Sequence, residues 1–266
     1  MLFSLTACRS RKQEEGGTEI PDIEASASSS DSSSGAGDGQ NMPSNSPGSF
    51  LDKILEYHNK NNDTIGWLYV PGTDINESVV QSTDNSYYLR RTNLRAVDRY
   101  GCYFADYECN FTDGHLPKNT IIYGHSMEMN DDPNGTRFSQ LKRWLDPTFA
   151  KEHPYIYFST PEKDMVYKIF TVMYTTTKFN YIDPEPSNTE FLSMLNQSRN
   201  SSQYNYPVEV NATDSIITLS TCVYKFTGTW PNNYRYVIMG RLVRPGEETP
   251  DTVAIETNPN PKQPQA

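Results

Sequence analysis

A mainly β fold, closed into a barrel of about eight strands, is what this 266-residue sequence predicts. Three observations lead there. Short runs rich in Val, Ile, Tyr, Phe and Thr follow one another from GWLYVPGT to YRYVIMGRLV, each bounded by Gly, Pro, Asn, Asp or Ser. Helix-period patterns are few, and the runs are irregularly spaced, without the regular strand and helix alternation of an α/β sheet. Aromatic residues make up 12% of the chain (18 Tyr, 11 Phe, 3 Trp), ample for one sizeable core.

Taken in order, residues 1–8 read MLFSLTAC, an apolar run ending in Leu5, Thr6, Ala7 and Cys8, the Leu-small-small-Cys order of a lipobox. It is shorter than the roughly 20 apolar residues that cross a bilayer. Two readings stand: a stub of a longer signal or anchor with Cys8 as a lipidation site, or an arbitrary apolar terminus. The first places the body of the protein outside the cytoplasm, and the basic RSRK that follows suits a lipidated Cys near anionic headgroups. Residues 9–49 are dominated by Ser, Gly, Asp and Glu and lack the apolar surface to offset chain entropy. They predict a disordered tether with a reach of about 35 Å. Residues 50–245 form one domain, and residues 246–266, rich in Pro, Asn and Glu, predict a disordered tail.

Within the domain, FLDKILEYHNKN (50–61) has helical apolar spacing and an Asn-rich stop. The strand candidates are GWLYVPGT, ESVVQS, YGCYFADY, NTIIYGH, YIYFST, MVYKIFTVMY, DSIITLSTC and YRYVIMGRLV. Two further helices are predicted, TRFSQLKRWLD (136–146), with Phe138, Leu141, Trp144 and Leu145 on one face, and NTEFLSMLNQSRN (188–200), inserted late among the strands. No internal repeat is present.

The formal net charge of -10 argues against nucleic acid as a partner, because phosphate binding needs clustered Lys and Arg. Cys8, Cys102, Cys109 and Cys222 show no CxxC pair, and His58, His115, His125 and His153 are scattered, so no metal site is predicted. Cys102 and Cys109 can pair if a turn brings them together, free buried thiols being the default.

Cys222 ends the apolar run SIITLSTC, where it is either a small core hydrophobe or a nucleophile. A nucleophilic thiol needs a base or cation to hold the thiolate and a donor for the oxyanion. His125 leaves NTIIYGH in the same way, after a Gly, and Arg235 lies at the start of the run that follows Cys222. Antiparallel pairing of those two runs would put Cys222 and Arg235 at one rim.

These motifs resemble the sortases, cysteine transpeptidases of Gram-positive cell surfaces, and class B in particular. TLSTC is similar to the family's TLxTC motif, IIYGHSM to its His motif, and the Arg235 strand with Gly240, Arg241 and Leu242 to its Arg motif. The likeness runs over about residues 65–243, and the helices at 50–61 and 188–200 favour class B. The resemblance implies a closed eight-stranded β-barrel with an N-terminal helix and a late inserted helix. It implies Cys222 as nucleophile, His125 as general acid/base and Arg235 as oxyanion and substrate clamp. Substrate contacts would fall on Asn85, Leu89, Tyr123, Thr177, Tyr181, Ile182, Ser220 and Thr221, and the segment with Trp230 and Pro231 would form one wall. The implied reaction cleaves an NPxT[N/G]-like sorting signal of a secreted protein after Thr and passes the acyl group to an amine, a peptidoglycan precursor or, in pilus-building relatives, a pilin. No cofactor is implied. The implied location is the extracellular face of the cytoplasmic membrane of a Gram-positive bacterium, with N-terminal attachment. A non-catalytic surface lipoprotein using the barrel as a binding module is the reading from another class.

Overall fold

Strand pairing closes on itself in the computed structural model, which describes residues 40–127, 131–226 and 233–265. In chain order the strands are β1 (Thr64–Tyr69), β2 (Asn76–Val80), β3 (Tyr103–Ala105), β4 (Asn119–Tyr123), β5 (Tyr155–Ser159), β6 (Asp164–Thr176), β7 (Tyr204–Asn205), β8 (Ile216–Cys222), β9 (Tyr234–Leu242) and β10 (Glu256–Thr257). Eight of them form the predicted closed barrel in the order β1-β2-β3-β4-β8-β9-β6-β5, and β1 pairs with β5 to complete it. The short strands β7 and β10 pair separately. Two neighbouring pairs in the barrel are parallel, β2 with β3 and β4 with β8, and the rest are antiparallel.

Why the strands read as continuous apolar runs is clear from burial. All five residues of β5, and all but the first and one later residue of β6, are buried. Loops and helices cover the outside of the barrel while side chains fill its inside, so both faces must be apolar. Leu68, Val79, Ile122, Phe158, Tyr167, Val172, Leu219 and Met239 belong to the one large core.

The first predicted helix is α1 (Leu51–Lys60). It buries Ile54 and, with Phe50 and Tyr57, covers Trp67 of β1: the Phe50 ring stacks on Trp67 at 6.0 Å and Tyr57 meets it edge-on at 5.5 Å. The predicted helix at 188–200 is α3 (Asn188–Ser201), which begins with a reciprocal Ser187 and Glu190 capping box. Between them the prediction needs correction. The stretch 136–146 folds as a tighter 3₁₀ run, Phe138–Leu145, and a separate helix, α2 (Pro147–Glu152), follows. Pro147 keeps Asp146 extended, and the Asp146 carboxylate then caps the new helix by accepting from the Thr148 amide at 2.7 Å.

The predicted disordered ends also need correction where the structure describes them. Residues 246–265 lie along the barrel: β10 pairs with β7, the Val253 amide donates to the Lys151 carbonyl at 3.0 Å, and the Tyr155 hydroxyl donates to the Pro250 carbonyl at 2.7 Å. Ile255 is buried in the main core. Residues 40–49, expected in the tether, follow the same edge, with Gln40 Nε2 donating to the Val243 carbonyl at 2.6 Å and Ser44 Oγ to Asp251 at 2.7 Å. Composition alone misses this because a polar segment needs few apolar anchors when a finished barrel supplies the opposing surface. Cys8 and residues 9–39 lie outside the described residues. Among the described residues no helix is long and apolar enough to cross a membrane.

The C-terminal segment also supplies a charge partner to the core. Arg241 is buried on β9, and Glu247 accepts from both its terminal nitrogens, at 2.7 and 2.6 Å, as well as from Lys168 Nζ at 2.8 Å. Burial alone would raise the Glu247 carboxyl, but the Arg241 and Lys168 hydrogen bonds outweigh it and bring its pKa to about 2, from 4.5. Glu247→Ala is expected to cost about 2–3 kcal/mol at pH 7, below the full figure for breaking a buried pair because the Glu247 side chain is 26% exposed. Because the folded-state pKa is depressed, this stability is present above pH 4.5 and lost as pH falls toward 2. Urea denaturation of wild type and variant across that window is expected to show the difference shrinking with acid; a constant difference would remove the ionised pair as its cause.

Candidate active site

Strand β8 runs between β4 and β9, and the registers of those two pairings decide what meets at its end. In the parallel pairing Tyr123 lies opposite Ser220. One step on, the Gly124 amide donates to the Ser220 carbonyl at 3.4 Å, and Thr221 Oγ1 donates to the Gly124 carbonyl at 2.7 Å. A Cβ at Gly124 would lie 2.7 Å from Phe138 and 2.9 Å from Tyr103, so only glycine lets the chain turn out here. The next residues, His125 and Cys222, therefore leave the ends of neighbouring strands, whose spacing is about 4.8 Å. In the antiparallel pairing Cys222 lies directly opposite Arg235, so their side chains share one face.

Exposure separates Cys222 from the other thiols. All three described cysteines are free; Cys102 and Cys109 are buried, and Cys222 is partly exposed. Burial pushes the Cys102 thiol well up and that of Cys109 up to about 12, which makes both inert at neutral pH.

His125 is held on the other side of the rim. Its Nε2 is 2.8 Å from the Leu89 carbonyl and 2.9 Å from Arg90 Nη1. The two partners serve different states of the ring: an Nε2–H donates to Leu89, whereas an unprotonated Nε2 accepts from Arg90. Burial lowers the His125 pKa below 6.5, the Leu89 carbonyl opposes that, and the positive charges of Arg90 and Arg137 lower it further. Gly101 closes this side at φ 57, where a Cβ would come within 3.2 Å of the His125 ring.

The predicted substrate contacts divide into two groups. Ser220 and Thr221 are buried beside Cys222, and the Tyr181 hydroxyl is 2.9 Å from Ser220 Oγ. The Tyr181 carbonyl is fixed by Asn119 Nδ2 at 3.0 Å, which folds the segment after β6 back over β4 and leaves Ile182 exposed. Thr177 extends β6 next to β9, where Thr175 is the Arg235 partner, and its amide donates to the Asn233 carbonyl at 2.9 Å. Leu89 joins through its carbonyl to His125. Asn85 and Tyr123 form a separate cluster, both donating to the buried Asp106 carboxylate, at 2.9 and 2.6 Å. Trp230 and Pro231 lie outside the described residues.

Sequence reasoning missed Arg90, Asp106 and a buried ion pair. Lys142, only 2% exposed, donates to Ser126 Oγ at 2.6 Å and lies 3.3 Å from Asp131 Oδ1. Asp131 Oδ2 accepts from the Tyr224 and Lys225 amides at 2.8 and 2.7 Å. The pair thus ties the residue after His125 to the residues after Cys222. No pattern pointed to Asp131, and Lys142 is not among the apolar-face residues of the predicted 136–146 helix. Among the described residues no group of three or more His, Cys, Asp or Glu is placed to hold a metal ion.

The family model of the sortase domain matches residues 68–243. Over 197 residues the chain is 37% identical to sortase B of Listeria monocytogenes, covering 74% of this chain and 76% of that protein. Among solved structures it is similar to a Staphylococcus aureus sortase B–substrate complex, with a TM-score of 0.64 and 28% identity over 73% of this chain and 86% of that one. It is likewise similar to Clostridium perfringens sortase B, with a TM-score of 0.62 and 29% identity over 71% and 99% of the two chains. A closed barrel of this order, a Cys, His and Arg at one rim, and a family match across the barrel agree: the chain belongs to the sortase family of cysteine transpeptidases and is of the sortase B type.

Proposed function

We propose that Cys222 is the nucleophile, His125 the general acid/base and Arg235 the oxyanion and substrate clamp of a transpeptidase that cleaves an NPxT[N/G]-like sorting signal after Thr. The observation that carries this is the register opposing Cys222 to Arg235, with His125 leaving the adjacent strand. The Cys222 thiolate attacks the Thr carbonyl carbon while the Arg235 guanidinium donates to the developing oxyanion. Collapse breaks the peptide C–N bond, His125 gives its proton to the departing amine, and a thioester remains. An incoming amine then attacks the thioester, loses its proton to His125 and releases the Cys222 thiolate. One amide is broken and one formed, so the cycle runs near energetic balance and needs no external driving group.

That a Staphylococcus aureus relative is solved with substrate, and that a sortase B is solved with triglycine, support a peptide acyl donor and a glycine-type amine acceptor. A peptidoglycan precursor fits that acceptor, and wall anchoring of secreted proteins at the outer face of the cytoplasmic membrane is the reading we adopt. Cys8 as a lipid site and the segment up to residue 39 as a tether belong to the same reading. Ser220, Thr221, Tyr181, Thr177, Ile182 and Leu89 would line the path of the sorting signal, with Asn85 and Tyr123 supporting it through Asp106.

With a fluorogenic NPxTG-type peptide, Cys222→Ala is expected to abolish cleavage, and His125→Ala or Arg235→Ala to lower kcat/KM by about 10²–10⁴. Triglycine is expected to divert the product from acid to amide. Cleavage by Cys222→Ala at the wild-type rate would sink the assignment.

Arg90→Gln removes a positive neighbour of His125, so the imidazole pKa is expected to rise, as read by NMR titration of the ring protons. An unchanged titration would remove Arg90 from the electrostatics of the site.

Asp131 has a positioning role in this scheme. Asp131→Ala is expected to lower kcat about 10- to 100-fold with KM less affected, and Asp131→Asn, which keeps an acceptor for the Tyr224 and Lys225 amides, to restore most of it. Wild-type kcat in Asp131→Ala would show that the ion pair serves stability alone.

A further inference from the structure

The segment 89–100, LRRTNLRAVDRY, reverses the character of the chain around it. It carries four Arg and one Asp, a net of +3, in a protein whose net charge is -10. It also carries four of the exposed large apolar side chains: Leu89 at 36%, Leu94 at 47%, Val97 at 86% and Tyr100 at 39%. Leu94 and Val97 in particular add little to the core, since side chains this exposed bury little apolar surface.

The backbone is a fixed hairpin. Arg91 and Val97 form an antiparallel bridge, the Thr92 amide donates to the Ala96 carbonyl at 2.8 Å, and the Arg95 amide to the Thr92 carbonyl at 2.9 Å. Arg95 turns the tip at φ 67. The tip is pinned to the barrel: Asn93 Nδ2 donates to Ser78 Oγ at 2.8 Å, the Asn93 carbonyl accepts from Asn61 Nδ2 at 2.7 Å, and Arg95 Nη2 donates to Asn62 Oδ1 at 2.6 Å and pairs with Asp63 at 2.9 Å. A pinned backbone that turns Leu94 and Val97 outward displays them at no further ordering cost. At its base, Leu89 and Arg90 touch His125.

We propose that this hairpin docks the barrel on an anionic lipid surface. Arg99 would meet lipid phosphates, with Arg95, already paired to Asp63 at 2.9 Å, adding less, while Leu94, Val97 and Tyr100 enter the layer between headgroups and acyl chains, where an apolar body with a polar or cationic rim is favoured. Charge complementarity selects an anionic partner over a neutral one. The apolar tip selects a lipid surface over a soluble polyanion, because a polymer in water offers Val97 and Leu94 nothing to enter. Docking there would hold the His125 rim close to the membrane.

The test is co-sedimentation of the whole chain with phosphatidylglycerol-containing vesicles and with pure phosphatidylcholine vesicles, at low and high salt. Tighter binding to the anionic vesicles is expected, weakening with salt, with about fivefold lost for Arg99→Gln and a smaller loss for Arg95→Gln, whose charge Asp63 already partners. The double variant Leu94→Ser/Val97→Ser is expected to bind at least about tenfold more weakly while cleaving soluble peptide at the wild-type rate. Basic residues near the N-terminus contribute equally to every variant and cancel. Equal binding to both vesicle types, or undiminished binding by the Leu94→Ser/Val97→Ser variant, would overturn the proposal. So would binding to soluble poly(glycerol phosphate) as tight as to vesicles, which would make the hairpin a polymer site.

Discussion

The parallel pairing of β4 with β8 is the constraint on which the site depends. A parallel pair cannot be joined by a short turn, so the chain travels through β5, β6 and α3 before β8 returns beside β4. That detour lets two strands end at the same edge, with IIYGH and TLSTC emerging side by side. The antiparallel partner β9 then begins where β8 ends, which sets Arg235 across from Cys222. A one-residue slip in either ladder would turn a side chain to the opposite face, and the buried Asn119, whose Oδ1 accepts from Thr218 at 2.7 Å, helps lock the first of them.

Charge placement follows the same economy. Barrel cores disfavour charge, yet Lys142 and Arg241 are buried and each has an acidic partner on another segment, Asp131 and Glu247. One pair joins the loops that leave β4 and β8; the other fastens the C-terminal segment to β9. His125 stands in a different environment, partly desolvated and flanked by Arg90 and Arg137, which favours its neutral form in the resting protein.

Legibility in the sequence tracked the range of the interaction. The barrel was readable because each strand announces itself over a few residues, and the strand-end positions of Cys222, His125 and Arg235 because each sits at the exit or entry of such a run. The helix at 188–200 was readable from local periodicity, and its Ser187 cap lies one residue away. Asp131, Asp106 and Arg90 were not readable, since their contacts span long separations and rest on no periodic pattern. The split of 136–146 into a 3₁₀ run and α2 turned on Pro147, a local signal outweighed by the amphipathic spacing around it. The docking of 246–265 was invisible because the surface that holds it belongs to the barrel and not to the segment.

A reaction that exchanges one amide for another needs no external driving group, and its rate comes from geometry and electrostatics held ready before substrate arrives. Residues on strands hold such geometry better than residues on loops. Here Cys222 and Arg235 lie within strands and His125 two residues beyond one, with Gly124 clamped between Thr221 and Phe138. The loops are left with different work. The segment from Thr177 to Ile182 presents side chains beside the rim, and the hairpin at 89–100 presents charge and apolar surface outward. In the proposed scheme this division would let substrate choice and surface attachment vary in the loops while the three strand ends keep their spacing.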